Sequence, residues 1–153
     1  MYFYSVEKKT GYGTPILLTE GPFAGWMTWG NGTDPFETLI GPFCKKVDPS
    51  GRVRTAFQPR AEHLNGSGAI HGGALLSFAD FSLFAIADQA LKDSALSVTI
   101  TCNAEFLAPG GINGWIEGEG EVLRAGRSIV FVRGLLRQNG NRILMFSGTL
   151  KKG

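Results

Sequence analysis

The chain has 153 residues, of which 43% are hydrophobic and 18% charged, with a net charge of +2. That length suits one domain whose core stands without staples, and the composition is too apolar for a disordered chain. So small a charge gives no case for a nucleic-acid binder, which carries a concentrated basic face.

Residues 1–35 are broken repeatedly by Gly and Pro, including Gly11, Gly13, Pro15, Gly21, Pro22, Gly25, Gly30, Gly32 and Pro35. This part reads as an N-terminal extension with a short helix near Phe23 to Gly30. Phe23, Trp26 and Trp29 are expected to pack it on the body, because so dense an aromatic group would be sticky if exposed. The first residues, Met1 to Lys9, lack signal-peptide architecture. Cys44 and Cys102 have no metal-ligand spacing and read as reduced thiols of a cytoplasmic protein, a single disulfide being the alternative.

Phe36 to Val47 reads as a strand, and Asp48-Pro49-Ser50-Gly51 as a turn in which Pro presets φ and Gly supplies φ > 0. Arg52 to Gln58 returns as a second strand, and Pro59 to Ile70 is a loop. His71 to about Leu91 is an almost wholly apolar helix, roughly 30 Å long at 1.5 Å per residue. Asp80 and Asp88 interrupt it, so it reads as a core helix and not a membrane span.

After the helix the period becomes two. Val98, Ile100, Cys102, Ala104 and Phe106 alternate with Thr99, Thr101, Asn103 and Glu105. Pro109-Gly110-Gly111 ends that strand. Gly114 to Leu123 is the next, and Ala125-Gly126 turns it into Ser128 to Gln138. Asn139-Gly140 is a strong hairpin signal before Arg142 to Leu150. The order predicts a hairpin, one helix and a meander of four strands. The sheet needs a cover, and the apolar helix is the only element available. The fold class is α+β, a curved antiparallel sheet wrapped around one helix.

The chemistry concentrates between His63 and Asp80. A polar, glycine-rich loop (His63 to Ala69) runs into His71-Gly72-Gly73, and Asp80 is a lone carboxylate within the apolar stretch. An ionised carboxylate is rarely buried unless something pairs with it or uses it. Two glycines at a helix mouth leave backbone N–H groups open to a polar or anionic group. Donors there, with a base further along the helix, are the parts needed for attack on a carbonyl. Ser77 offers a Ser-His-Asp set on paper, but it has no Gly-x-Ser-x-Gly elbow.

The run His63, Asn65, Gly68, His71, Gly72, Gly73 and Asp80 resembles the signature of the hotdog-fold acyl-CoA thioesterases, phenylacetate-degradation type, related to the 4-hydroxybenzoyl-CoA thioesterases. The resemblance covers roughly Phe36 to Leu150, so residues 36–153 would form the thioesterase domain behind the extension at 1–35. It implies hydrolysis of an acyl-CoA thioester to a free acid and CoA. Asp80 would be nucleophile or general base, and the Gly72 N–H would be the oxyanion donor. His71 would support the oxyanion region, and Asn65 would orient water or carbonyl. Thr99, on the polar face of its strand, would aim at the water or the carboxylate. Gly73 would serve close approach, and Arg124 and Arg127 would meet CoA phosphates. Each has a plainer use as an ion-paired helical Asp, a turn Asn, a packing glycine or a solvated arginine. No metal or redox cofactor is implied, since CoA is part of the substrate. A homodimer or homotetramer is implied, with Asp80 and Thr99 from one protomer and Asn65, His71 and Gly72 from its partner. No nucleic acid or membrane partner is expected. The rival readings are a non-catalytic acyl-CoA-binding hotdog protein and a hotdog 3-hydroxyacyl thioester dehydratase.

Overall fold

The computed structural model describes residues 15–29 and 34–153. Residues 1–14 and 30–33, and the expectations that fall on them, lie outside the described residues. The helix expected near Phe23 is absent as far as Trp29. Instead β1 (Ile16–Leu17) and β2 (Met27–Thr28) form a small hairpin. Gly21 and Gly25 turn the chain at φ +77° and +85°, where a side chain would be strained. Leu18 N–H donates to Trp26 O, and Gly25 N–H to Leu18 O, both at 2.8 Å.

The strand expected from Phe36 starts later. Pro35–Ile40 is a helix, α1, and β3 runs only over Phe43–Val47. The local signal is a start motif: Asp34 caps the helix by accepting from Glu37 N–H at 2.9 Å, and Pro35 occupies the first turn. β4 (Val53–Phe57) pairs with β3 in the register Phe43↔Phe57. In the turn between them Asp48 Oδ1 accepts from Ser50 N–H at 2.9 Å and Arg52 N–H at 3.0 Å.

The long helix α2 spans Gly72–Leu91, with His71 as its N-cap. It alone among the described residues has the length and hydropathy to cross a membrane, but the chain's own sheet wraps it. Four strands follow: β5 (Ser97–Phe106), β6 (Ile116–Ala125), β7 (Ile129–Gln138) and β8 (Asn141–Lys152). At the β7–β8 turn Asn139 and Gly140 take φ of 50° and 80°, as an Asn-Gly hairpin requires.

The sheet order is β1-β2-β3-β4-β6-β7-β8-β5, with antiparallel neighbours throughout. The expected four-strand meander is therefore corrected. β6, β7 and β8 form a meander, but β5 lies beyond β8 at the edge, and β6 pairs with β4. Helix α2 crosses the concave face and delivers the chain to the far edge, which a local period cannot reveal.

The core lies between α2 and the sheet. Phe57, Phe78, Leu83, Phe146 and Leu150 are fully buried, each contributing about 1.5–3 kcal/mol. Strand glycines let the helix approach. A Cβ on Gly148 would come 2.2 Å from a Leu83 methyl, and one on Gly118 would strike the Thr55 hydroxyl beside Ser82. A second cluster lies on the other sheet face. Cys44 and Ala56 alternate with Phe43 and Phe57 and receive Phe23 and Trp26. Phe23 packs against Trp115 with the rings tilted at 42° and centroids 4.6 Å apart.

Candidate active site

Helix α2 places Asp80 in its middle, half-buried beside the first residues of β5. The hydroxyl of Thr99 donates to Asp80 Oδ1 at 2.7 Å. Burial pushes the Asp80 carboxyl above the usual aspartate range, and the Thr99 hydrogen bond opposes it. Cys102 lies on the same side, its thiol pushed up to about 11 by burial and by the nearby Asp80 charge.

This arrangement corrects the alternation read for β5. The register shifts between Thr99 and Thr101 through a bulge. A bulge adds one residue and exchanges the faces. Thr99 therefore faces the helix, together with Cys102 and Ala104, while Val98 and Ile100 stand exposed at 48% and 52%. Thr99 is not on the polar outer face, and Val98 and Ile100 are not in the core.

At the N-terminus of α2, Gly73 N–H donates to His71 Nδ1 at 2.9 Å. An accepting Nδ1 leaves the His71 proton on Nε2. The Gly72 amide, in the first turn, has no intrahelical acceptor, which makes it an open donor at the positive end of the helix. The Phe106 ring lies close to Gly72, so that a Cβ there would meet it at 3.2 Å. Asn65 is used locally. Its Oδ1 accepts from Ser67 N–H at 2.9 Å and Ala69 N–H at 3.2 Å, and its Nδ2 protons remain for another partner. His63 is buried, with Nδ1 accepting from Arg60 N–H at 2.8 Å and Nε2 2.7 Å from Ile40 O. Ser77 donates to Gly73 O at 2.8 Å, an ordinary helical back-bond.

The structure thus brings Asp80 and Thr99 together, and separately gathers Asn65, His71, Gly72 and Gly73 around the helix mouth. The two groups are eight residues apart along α2, about 12 Å at 1.5 Å per residue. Arg124 and Arg127 are exposed at the β6–β7 turn. That turn lies toward the C-terminal end of α2, since nearby Gly120 sits against Ile86.

A cavity of about 780 Å³ opens beside Asp80. Trp29, Phe43, Phe81 and Phe84 give it apolar walls, and Gly73 and Leu76 lie toward the helix mouth. Its size suits a small-molecule site. The cavity also contains a residue that sequence reasoning missed, the buried carboxyl of Glu37. The signal for it was Asp34-Pro35 followed by Glu37, a helix start read instead as the entry to a strand. Among the described residues no three His, Cys, Asp or Glu side chains converge in a form that could hold a metal ion.

A curved antiparallel sheet wrapped around one long helix, with a carboxylate at mid-helix and open amides at its mouth, defines the hotdog fold. The sequence matches the family model of the thioesterase superfamily over residues 67–144, and the chain belongs to that superfamily. The conserved protein PA5202 from Pseudomonas aeruginosa is 25% identical at a TM-score of 0.69, over 78% of this chain and 94% of its own. A mutant form of the phenylacetic acid degradation protein PaaI from Thermus thermophilus is 24% identical at a TM-score of 0.67, over 78% and 100%. The BH2602 protein from Bacillus halodurans, solved with CoA, is 18% identical at a TM-score of 0.66, over 71% and 72%. No curated protein matches the sequence.

Proposed function

We propose that this protein hydrolyses an acyl-CoA thioester to a free carboxylic acid and CoA. The observation that carries this reading is the Asp80–Thr99 pair at the edge of an apolar cavity. A carboxylate whose basicity burial raises, and one of whose oxygens a hydroxyl holds in place, is suited to act as a general base. Asp80 takes a proton from water, the water oxygen attacks the thioester carbonyl, and charge develops on the carbonyl oxygen. A Gly72 N–H at a helix mouth is suited to that oxyanion. The C–S bond then breaks, and the CoA sulfur leaves with a proton. Direct attack by Asp80, through an anhydride that water opens, uses the same groups. CoA bound to the BH2602 protein, a structural relative, supports the choice of thioester. Arg124 and Arg127 are the proposed phosphate contacts, and no cofactor beyond the substrate's CoA is needed.

The separation of about 12 Å between Gly72 and Asp80 along the helix argues for a site shared between two protomers. Strand β5 is the sheet edge, with Thr99 beside Asp80 and Phe106 beside Gly72. Antiparallel pairing of β5 with its copy, about a two-fold axis at Asn103 and with Ile100 taken up by the bulge, sets Thr99 opposite the partner subunit's Phe106. It thereby brings the partner subunit's Gly72 toward Asp80, and it covers an otherwise open edge. The test is thiol release from phenylacetyl-, benzoyl-, short-chain and long-chain acyl-CoAs. Turnover of at least one by the wild type, and its loss in Asp80→Ala, is the expected result. Absence of turnover with every thioester overturns the reading.

A further inference from the structure

The cavity holds a second buried carboxyl that the reaction above does not use. Glu37 is 6% exposed and lines the same cavity as Asp80. Thr28 Oγ1 lies 3.1 Å from Glu37 Oε1 and 2.7 Å from Phe43 O. A hydroxyl has one proton, and the nearer carbonyl can only accept it. Thr28 therefore divides its proton between Phe43 O and Glu37, and holds the charged carboxylate only weakly. Burial pushes the Glu37 carboxyl up to about 7, with Asp34 adding to the effect. Hydrogen bonds from Thr28 and from the Trp29 and Phe43 backbone act against it. The charged groups lining the cavity are Asp34, Asp80, Asp88 and Lys92, and Asp88 pairs with Lys45 at 3.2 Å. Among the described residues no cation is paired with Glu37.

Phe81 follows Asp80 in the chain, and its ring packs on Trp29 and Phe43 at centroid distances of 5.8 and 5.6 Å. Those two residues flank the groups that hold Glu37, so Glu37 lies one aromatic layer from Asp80. We propose, resting on the thioesterase reading, that Glu37 is a specificity-determining residue: it is a polar wall of the acyl chamber and selects straight-chain acyl groups that carry a hydroxyl remote from the thioester. A carboxyl has two oxygens with spare lone pairs, and one beyond those engaged by Thr28 and the backbone serves a substrate hydroxyl. A plain alkyl end would remove the carboxyl from water with no hydrogen bond in return. An acyl group ending in a carboxylate would meet an excess of like charge in the same chamber, Asp34, Asp80 and Asp88 against Lys92. The straight-chain preference follows from the cavity's course along α2 past Phe84 to Leu91, about 16 Å beyond Asp80 at 1.5 Å per residue.

The test compares kcat/KM for thiol release from three length-matched CoA thioester series: alkyl, ω-hydroxyalkyl and ω-carboxyalkyl. Wild type, Glu37→Gln and Glu37→Leu are measured with each. In the wild type the hydroxylated thioester is expected to exceed the alkyl one about tenfold at its best length, and the carboxylated one to be poorest. Glu37→Gln, a neutral group of the same shape, is expected to keep that order. Glu37→Leu is expected to bring the hydroxyl-to-alkyl ratio to one or below. An equal fall on both series in Glu37→Leu, with lowered melting, makes Glu37 a structural brace and overturns the inference. Equal rates on both series in the wild type overturn it while leaving the thioesterase reading intact. No thiol release from any series overturns both.

Discussion

The hydroxyl of Thr99 and the carboxylate of Asp80 meet at 2.7 Å across the helix–sheet interface. The contact exists because a bulge after Thr99 turns that residue inward. It fixes one oxygen of a carboxylate whose protonation burial otherwise favours.

Replacing Asp80 by Ala should lower kcat by about a hundredfold or more while the melting temperature holds or rises. Removing a half-buried carboxylate relieves a desolvation cost, so a folded but inactive protein is expected. Circular dichroism and thiol release measured on the same preparation check both halves. Retained turnover would refute the assigned role.

Thr99→Val should act on Asp80 from outside the reacting atoms. The lost hydrogen bond favoured the charged carboxylate, so its pKa should rise further. The rising limb of kcat/KM against pH should shift to higher pH, and turnover at neutral pH should fall about tenfold, or roughly 1.4 kcal/mol. Thr99→Ser should restore the wild-type profile. An unmoved profile in the valine variant would separate Thr99 from the chemistry.

If sites are shared, mixing inactive Asp80→Ala chains with inactive Asn65→Ala chains should recover activity, because each mixed dimer regains one intact site. Recovery approaching about a quarter of the wild-type rate is expected from random exchange within a two-fold dimer. No recovery after verified subunit exchange would place each site within one chain.

Glu37 predicts a pH dependence of stability. Its carboxyl rises from the ordinary 4.5 to about 7 in the folded protein. Between those values the folded state holds a proton that the unfolded chain has released. The contribution is fully present below about pH 4.5 and is lost as pH rises through about 7, amounting to on the order of 3 kcal/mol. Denaturant melts should therefore show stability falling with pH in that window, and Glu37→Gln should flatten the slope. Asp80 adds a change of the same sign, so the comparison is made against wild type at each pH.

Trp26→Ala should destabilise the protein by about 3 kcal/mol, because Trp26 is 6% exposed in the cluster with Phe23 and Cys44. Deleting residues 1–33 should destabilise the protein by at least as much, read as a lower melting temperature. Unchanged melting in either variant would make the extension a passive tail.

The sequence by itself determined the long helix, the strands Val53–Phe57 and Ile129–Gln138, and the Asn139-Gly140 turn, since each rests on a local period or on backbone preference. It also carried the spacing of Asn65, His71, Gly72 and Asp80, which is a property of the chain alone. Two further local signals were present in the sequence but outweighed by the surrounding pattern: the Asp34 cap with Pro35 made a helix where β-branched and aromatic residues suggested a strand, and Gly21 and Gly25 made a turn where a helix was expected. Tertiary structure decided the rest. The crossing of α2 set β5 beside β8, and a one-residue bulge exchanged the faces of Thr99 and Ile100. Glu37 became a buried wall of the acyl chamber only because β2, β3 and α1 close around it. Local pattern encodes which way a residue faces within its own element; what it then meets depends on contacts between distant segments, and those are set by packing the whole sheet around one helix.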